Sequence, residues 1–277
     1  MSDIVAWPWP RIIISNYKMY LVSGVAGGNL TLSELFYSSS GYWGALPVLD
    51  IGTFADVNEV SIADFGPFYV VCTFGQDVFA NPIRRMYVRD LAVALGYGFA
   101  SFVTQDNPIC GTCCNYNGQF IGGNIEADSG SSWYGLDSKS ILWSAIGNFE
   151  LDPQKSVEAG FRLLQGSWPS RQNVRVYKLM PLGKNVIAYT DAGLLLLTAT
   201  YNNILVYGQI AEHGLGIISG NHVAGDNSIH GFIDLRGEFW TVTDQGQLTR
   251  RGYREWIRTI LDYTHATNDY RTIVSYI

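Results

Sequence analysis

Four cysteines are the residues whose spacing first invites a chemical reading. Cys110 and Cys113 form one C-x-x-C, with Cys114 beside them and Cys72 upstream. A single C-x-x-C is half of a zinc or redox site, and the four histidines, His213, His222, His230 and His265, stand at no ligand spacing that would complete it. The thiols are also too few and too clustered for the disulfide framework of a secreted protein. They read as free thiols, with Cys72 a small buried hydrophobe on a strand from Tyr69 to Thr73. No metal and no cofactor is expected. Carboxylates are the next candidates, because glycoside cleavage needs only two of them roughly 5 to 10 Å apart. Asp50, Asp56, Asp64, Asp128, Asp137, Asp234 and Asp244 all fall near expected turns, where an Asp side chain bonds its own backbone. No G-x-S-x-G elbow, H-E-x-x-H helix or P-loop occurs. The glycines at Gly24, Gly27 and Gly28 and at Gly122-Gly123 lack the strand-to-helix setting of a phosphate cradle. The expectation is a protein without catalytic residues, with a glycosidase as the less favoured alternative.

A sialidase-like site would add an arginine cluster and a tyrosine nucleophile. Arg84 and Arg85 are adjacent, but Pro82-Ile83-Arg84 reverses the Arg-Ile-Pro order of those enzymes. Asp128-Ser-Gly130-Ser-Ser132-Trp133 resembles the Asp-box turn of several propeller families, with Glu126 where Ser or Thr would stand; it reads as a structural turn. The eight tryptophans are spread along the chain instead of clustering as a sugar-stacking surface would. Trp143 and Trp240 lie inside expected strands, where one large side chain fills the space between sheets. Trp7 and Trp9, flanked by Pro8 and Pro10 in an arm, are the candidate protein-contact residues.

The elements that must position these residues are strands. Of the 277 residues, 47% are hydrophobic and only 15% charged, with 30 glycines, a mixture that favours pleated surfaces and tight turns over exposed helices. So little charge also implies that neighbouring subunits cover part of the surface. Val186 to Thr198 reads as strand, Asp/Gly turn and returning strand, and Gly231 to Thr243 repeats the device 45 positions on. Fainter copies are expected at Tyr69 to Val88 and at Cys114 to Gly122 followed by Ser140 to Ser144. That period falls in the range of about 40 to 50 residues per propeller blade. The fold class read from the chain is all-β: a β-propeller of about five to seven blades over residues 41–277, behind an irregular N-terminal arm with first strands over residues 1–40. Short inserted helices are expected at Val88 to Leu95, after Asp152-Pro153, and at Tyr253 to Leu261, and a ring-closing strand at Arg271 to Ile277.

The net charge of -6 argues against wrapping nucleic acid, although mild acidity suits a lumen through which DNA slides. With Asp3 near the N-terminus and Pro8 and Pro10 interrupting the first apolar residues, no secretory signal is read, and the apolar runs are too short for a membrane helix. A soluble chain made in a cytoplasm is expected, with no membrane insertion.

Several motifs together carry a resemblance: Cys114-Asn-Tyr-Asn-Gly-Gln-Phe-Ile-Gly-Gly123, Ile141-Leu-Trp143-Ser-Ala-Ile146-Gly147, Pro181-Leu-Gly183-Lys, His222-Val-Ala-Gly225-Asp, His230-Gly-Phe-Ile-Asp234 and Arg251-Gly-Tyr253-Arg-Glu255-Trp256. Over about residues 110 to 260 the chain resembles propeller-bearing structural proteins of tailed bacteriophages, of the nozzle, hub or adaptor type. The resemblance implies a non-enzymatic virion component of the tail, assembled in the host cytoplasm. It implies a multi-copy ring of the chain with itself and contact with other tail proteins, around a lumen that DNA traverses without sequence-specific binding. A carbohydrate- or receptor-binding propeller is the alternative.

Overall fold

The computed structural model of the chain describes residues 12–15, 18–23, 31–34, 56–65, 68–76, 82–90, 100–101, 108–126, 135–147, 150–164, 174–200 and 206–260. Trp7 and Trp9, the Asp-box-like turn, Asp50, Asp128, His265 and the expected C-terminal strand lie outside the described residues. Within them the protein is all-β, with a single seven-residue α-helix, α1 (Arg254–Ile260), where Tyr253 to Leu261 is expected to be helical.

The described strands form five antiparallel sheets, each a meander of consecutive strands. The first has three, β1 (Ile12–Ser15), β2 (Lys18–Ser23) and β3 (Thr31–Glu34). The second joins β4 (Asp56–Asp64), β5 (Phe68–Gln76), β6 (Pro82–Asp90) and β7 (Ala100–Ser101). The third joins β8 (Ile109–Tyr116), β9 (Gln119–Glu126), β10 (Ser140–Trp143) and β11 (Gly160–Leu163). The fourth joins β12 (Val176–Leu182), β13 (Asn185–Thr190), β14 (Leu194–Thr200) and β15 (Val206–His213). The fifth joins β16 (Val223–Gly225), β17 (Ile229–Ile233), β18 (Phe239–Thr243) and β19 (Leu248–Gly252). All four hairpins read from the sequence are present, as β5–β6, β8–β9, β13–β14 and β17–β18. The β8–β9 turn shows why. Asn117 and Gly118 both have positive φ, 52° and 78°, the geometry that two-residue hairpins need and that Asn-Gly supplies.

Sheets two to five stack in chain order, and each interior sheet buries both faces. Ala63, Val70, Cys72 and Met86 of the second sheet pack on Cys110, Cys113, Phe120 and Leu142 of the third. The other face of the third, with Cys114, Ile121, Ile141 and Trp143, packs on Val176, Leu179, Val186 and Leu195 of the fourth. Ile187, Tyr189, Leu194 and Leu196 then meet Val223, Phe232 and Val242 of the fifth. Burial on both faces explains the unbroken Leu194-Leu195-Leu196-Leu197 run, because successive side chains enter different cores and none needs to be polar. Each fully buried leucine contributes about 1.5 to 3 kcal/mol relative to an exposed one.

Two sequence expectations change in the structure. Residues 88–90 finish β6 instead of opening a helix. After Asp152 the chain makes one turn: Lys155 and Ser156 N–H both donate to Asp152 O and Asp152 Oδ1 caps Gln154 N, and although Ala159 N donates to Ser156 O in a further turn, the two do not join into a helix before β11. A cap and a proline at the first helical position start a helix; without an apolar stripe to pack, nothing extends it.

Candidate functional site

Polar side chains converge where the first strands of successive sheets lie side by side, with β8 between β4 and β12. The centre is Glu59 on β4, only 4% exposed. Arg175, which precedes β12, donates from Nη2 to both carboxylate oxygens at 3.1 Å. The Ser219 hydroxyl and Gly220 N–H, from the segment leading into β16, donate to the same carboxylate. Burial holds the Glu59 carboxyl above its ordinary range, and Arg175 is the largest influence pulling it back. Gly220 has to be glycine, since a Cβ there would lie 2.9 Å from Tyr177 O and 3.4 Å from Glu59 Oε2.

The network continues through neighbouring strands. Lys178 on β12 donates from Nζ to Val60 O at 3.3 Å and Ser61 Oγ at 3.4 Å, and burial lowers its pKa. Ser61 Oγ lies 3.0 Å from Thr112 Oγ1 on β8. The Arg175 guanidinium is flattened between two rings, 3.5 Å from the centroid of Phe74 and 3.9 Å from that of Tyr177. Four sheets thus meet in one hydrogen-bonded hub built on a buried ion pair, whose geometry fixes how the sheets sit against one another.

A second buried polar group joins the fourth and fifth sheets. His230 on β17 has Nε2 2.9 Å from Pro181 O and Nδ1 2.9 Å from the Tyr189 hydroxyl. A carbonyl only accepts, so Nε2 carries the proton and Tyr189 donates to Nδ1. Burial lowers the His230 pKa to about 4 and raises that of Tyr189.

The candidate carboxylates whose side chains are described, Asp64, Asp137, Asp234 and Asp244, serve separate turns and strand ends. Asp234 Oδ1 accepts from Arg236 N and Glu238 N and Oδ2 from the Trp240 indole at 3.2 Å, so it holds a turn and a tryptophan. Asp137 holds its own turn through Lys139 N and Ser140 Oγ. Asp64 and Asp244 are exposed at the ends of β4 and β18. Among the described residues, the charge partners of Glu59 are Arg175 and Lys178. Arg84 pairs with Glu126 at 3.2 Å and lies near Phe74, as Arg175 does. Cys72, Cys110, Cys113 and Cys114 are free and buried, and burial pushes the Cys72, Cys110 and Cys114 thiols up. No cluster of three metal-ligating side chains occurs among the described residues.

Glu59, Arg175 and Ser219 have no local signature, since the pair is separated by 116 positions. The available signal was a glutamate inside the β-forming run Val57-Asn-Glu59-Val-Ser-Ile62, which either faces solvent or must find a cation.

No family model matches the chain, and no curated protein matches it in sequence. Among solved structures, PorZ, a surface component of the type-IX secretion system of Porphyromonas gingivalis, matches at a TM-score of 0.38 and 10% identity, over 87% of this chain and 31% of that one. The chain therefore spans about a third of PorZ. BamB from Moraxella catarrhalis matches at a TM-score of 0.34 and 11% identity, over 87% of this chain and 75% of that one. Likenesses this distant bear on neither activity nor partners. No helix among the described residues is long and apolar enough to cross a membrane.

Proposed function

We propose that the protein is a non-enzymatic structural component of a bacteriophage tail, a β-propeller whose sheets are blades around the Glu59 hub. The observation that carries the structural reading is how the buried polar groups are used. Glu59, Arg175, Lys178, Asp234 and His230 all bond other parts of the fold and hold sheets or turns in place. Four-stranded meanders stacked in chain order, with first strands gathered at the hub, are what blades require. The tail assignment rests on the sequence resemblance over residues 110–260 and on the low charge of the chain, which suits subunits packed in a multi-copy ring with other tail proteins about a DNA lumen.

One observation favours the alternative of a receptor- or carbohydrate-binding propeller. Tyr253 and Trp256 are 67% and 65% exposed at the start of α1, where aromatic faces could stack on a ligand. Native mass spectrometry of the purified chain, with and without a panel of glycans, separates the two. Defined rings or self-association without glycan adducts support the structural part; a monomer that takes up glycans supports the alternative.

A further inference from the structure

The sequence offers Cys110 and Cys113 as the thiol pair, and the fold brings a different pair together. Cys72 on β5 and Cys113 on β8 are buried in the core between the second and third sheets. Cys113 Sγ lies 3.6 Å from Ser61 O and 3.8 Å from Val70 O, and both carbonyls flank Cys72. Ser61 stands opposite Cys72 in the β4–β5 register, and Val70 is two residues before it on β5. The two thiols are hydrogen-bonded to each other. Because a carbonyl only accepts, the Cys113 S–H is turned to the backbone and its sulfur receives the Cys72 S–H.

Geometry disfavours the other pairings. Cys110 and Cys113 are three apart on one extended strand, a span of about 10 Å, whereas a disulfide joins Cα atoms no more than about 7 Å apart. Cys113 and Cys114 enter different cores, on opposite faces of the third sheet. Among the described residues, Cys72 is hydrogen-bonded to Cys113 and not to Cys110, whose sulfur packs against Gly122 of β9. The Lys178 ammonium stands by the Cys113 sulfur: burial lowers the Lys178 pKa, and Cys113 is the charged neighbour that opposes this most. A thiolate at Cys113 therefore has a cation to face, the setting in which a thiol acts as a nucleophile.

We propose that Cys72 and Cys113 are a latent disulfide: a peroxide oxidises the pair to a covalent bond between β5 and β8 that staples the second sheet to the third. The Cys113 sulfur attacks one peroxide oxygen, the O–O bond breaks and the other oxygen leaves as water, making Cys113 a sulfenic acid. The Cys72 sulfur then attacks that sulfur and expels its hydroxyl as a second water. Two thiols and one hydrogen peroxide thus yield one disulfide and two waters. The oxidant has to be as small as a peroxide because both thiols are buried.

The test maps the thiols of the folded full chain after treatment with hydrogen peroxide. Remaining thiols are alkylated in acid denaturant, and the non-reduced digest is sequenced by mass spectrometry. A peptide cross-linked through Cys72 and Cys113 is expected, two hydrogens lighter than its separate halves, with Cys110 and Cys114 alkylated. The bond closes a loop of 41 positions and is expected to raise the melting midpoint by about 5 to 10 °C, a shift that dithiothreitol reverses. Cys110→Ala is expected to keep the cross-link and the shift, and Cys113→Ser to lose both. Four unmodified thiols after treatment overturn the proposal, as does a bridge from Cys110 or one that forms only in denaturant. Sulfinic acid at Cys113 without a bridge overturns it, and so does a Cys72–Cys113 bridge that leaves the melting midpoint unchanged or lower. Should Cys113→Ser fail to fold, the maps of the wild type and Cys110→Ala decide.

Discussion

Replacing Arg175 by leucine would leave the Glu59 carboxylate buried with the Ser219 hydroxyl, the Gly220 amide and the more distant Lys178 charge as its remaining support. Breaking a buried pair by removing one partner costs about 3 to 5 kcal/mol, because the surviving charge is stranded. Leucine replaces part of the packing between Phe74 and Tyr177 but not the cation–π attraction, worth roughly 1 to 2 kcal/mol in a desolvated setting. A loss of about 4 kcal/mol is therefore expected, a large share of the roughly 5 to 15 kcal/mol that a typical domain holds. Urea unfolding followed by tryptophan fluorescence measures it, with an unchanged m-value showing that the folded state is intact. Two companions sharpen the reasoning. Glu59→Leu with Arg175→Leu removes both charges and is expected to recover more than half of the loss. The deficit should also shrink between pH 7 and pH 5. Without Arg175 the folded Glu59 pKa, already raised by burial, climbs further, so the folded variant takes up a proton that the unfolded chain does not, and acid favours folding. A deficit under about 1 kcal/mol, equal at both pH values and unrelieved in the double variant, would refute the hub as an electrostatic clasp.

Other consequences are as specific. His230 has a folded pKa of about 4 against 6.5 unfolded, so the unfolded state binds more protons in between and stability should fall by about 3 kcal/mol as pH drops from 6.5 to 4, in a titration of unfolding free energy that His230→Gln flattens. Tyr189→Phe leaves His230 Nδ1 without its donor and should cost about 1 to 3 kcal/mol at pH 7 by urea unfolding. Gly122→Ala drives a methyl into Cys110 Sγ and to 2.8 Å from Phe120 Cε1, an overpacking expected to cost about 1 to 3 kcal/mol. Asp234→Ala should cost about 2 to 3 kcal/mol through its turn and the Trp240 indole, while Asp244→Ala at an exposed turn stays within about 0.5 kcal/mol; equal effects would contradict the assignment of Asp234 to structure. All four thiols should resist an aromatic disulfide reagent in the native protein and react in denaturant; rapid native labelling would contradict their burial.

How much of this was legible in the sequence depended on whether the cause was local. Asn117-Gly118 and the Asp/Gly punctuation after Val186 and Gly231 carry their turns in themselves, so the hairpins could be read directly. The apolar run at Leu194 gave the strand but not that two different cores claim its alternate side chains. Cys110 and Cys113 illustrate a limit of periodicity. Three apart on a strand, they should face opposite ways, yet both join the core of Cys72, because the alternation is broken at Gly111 opposite the left-handed Asn124. The hub was illegible for a different reason. Its members come from four sheets, and a glutamate, an arginine and a serine far apart in the chain announce nothing until the sheets stack. The carboxylates that drew attention, Asp137 and Asp234, are conspicuous because turns need them, and turns are where the structure uses them.

The measurement that bears most directly on the tail assignment is quantitative mass analysis of purified particles from the source. The account expects this chain at a fixed whole-number stoichiometry per particle, retained after the particles are washed in high salt. Absence of the chain from intact particles would contradict it.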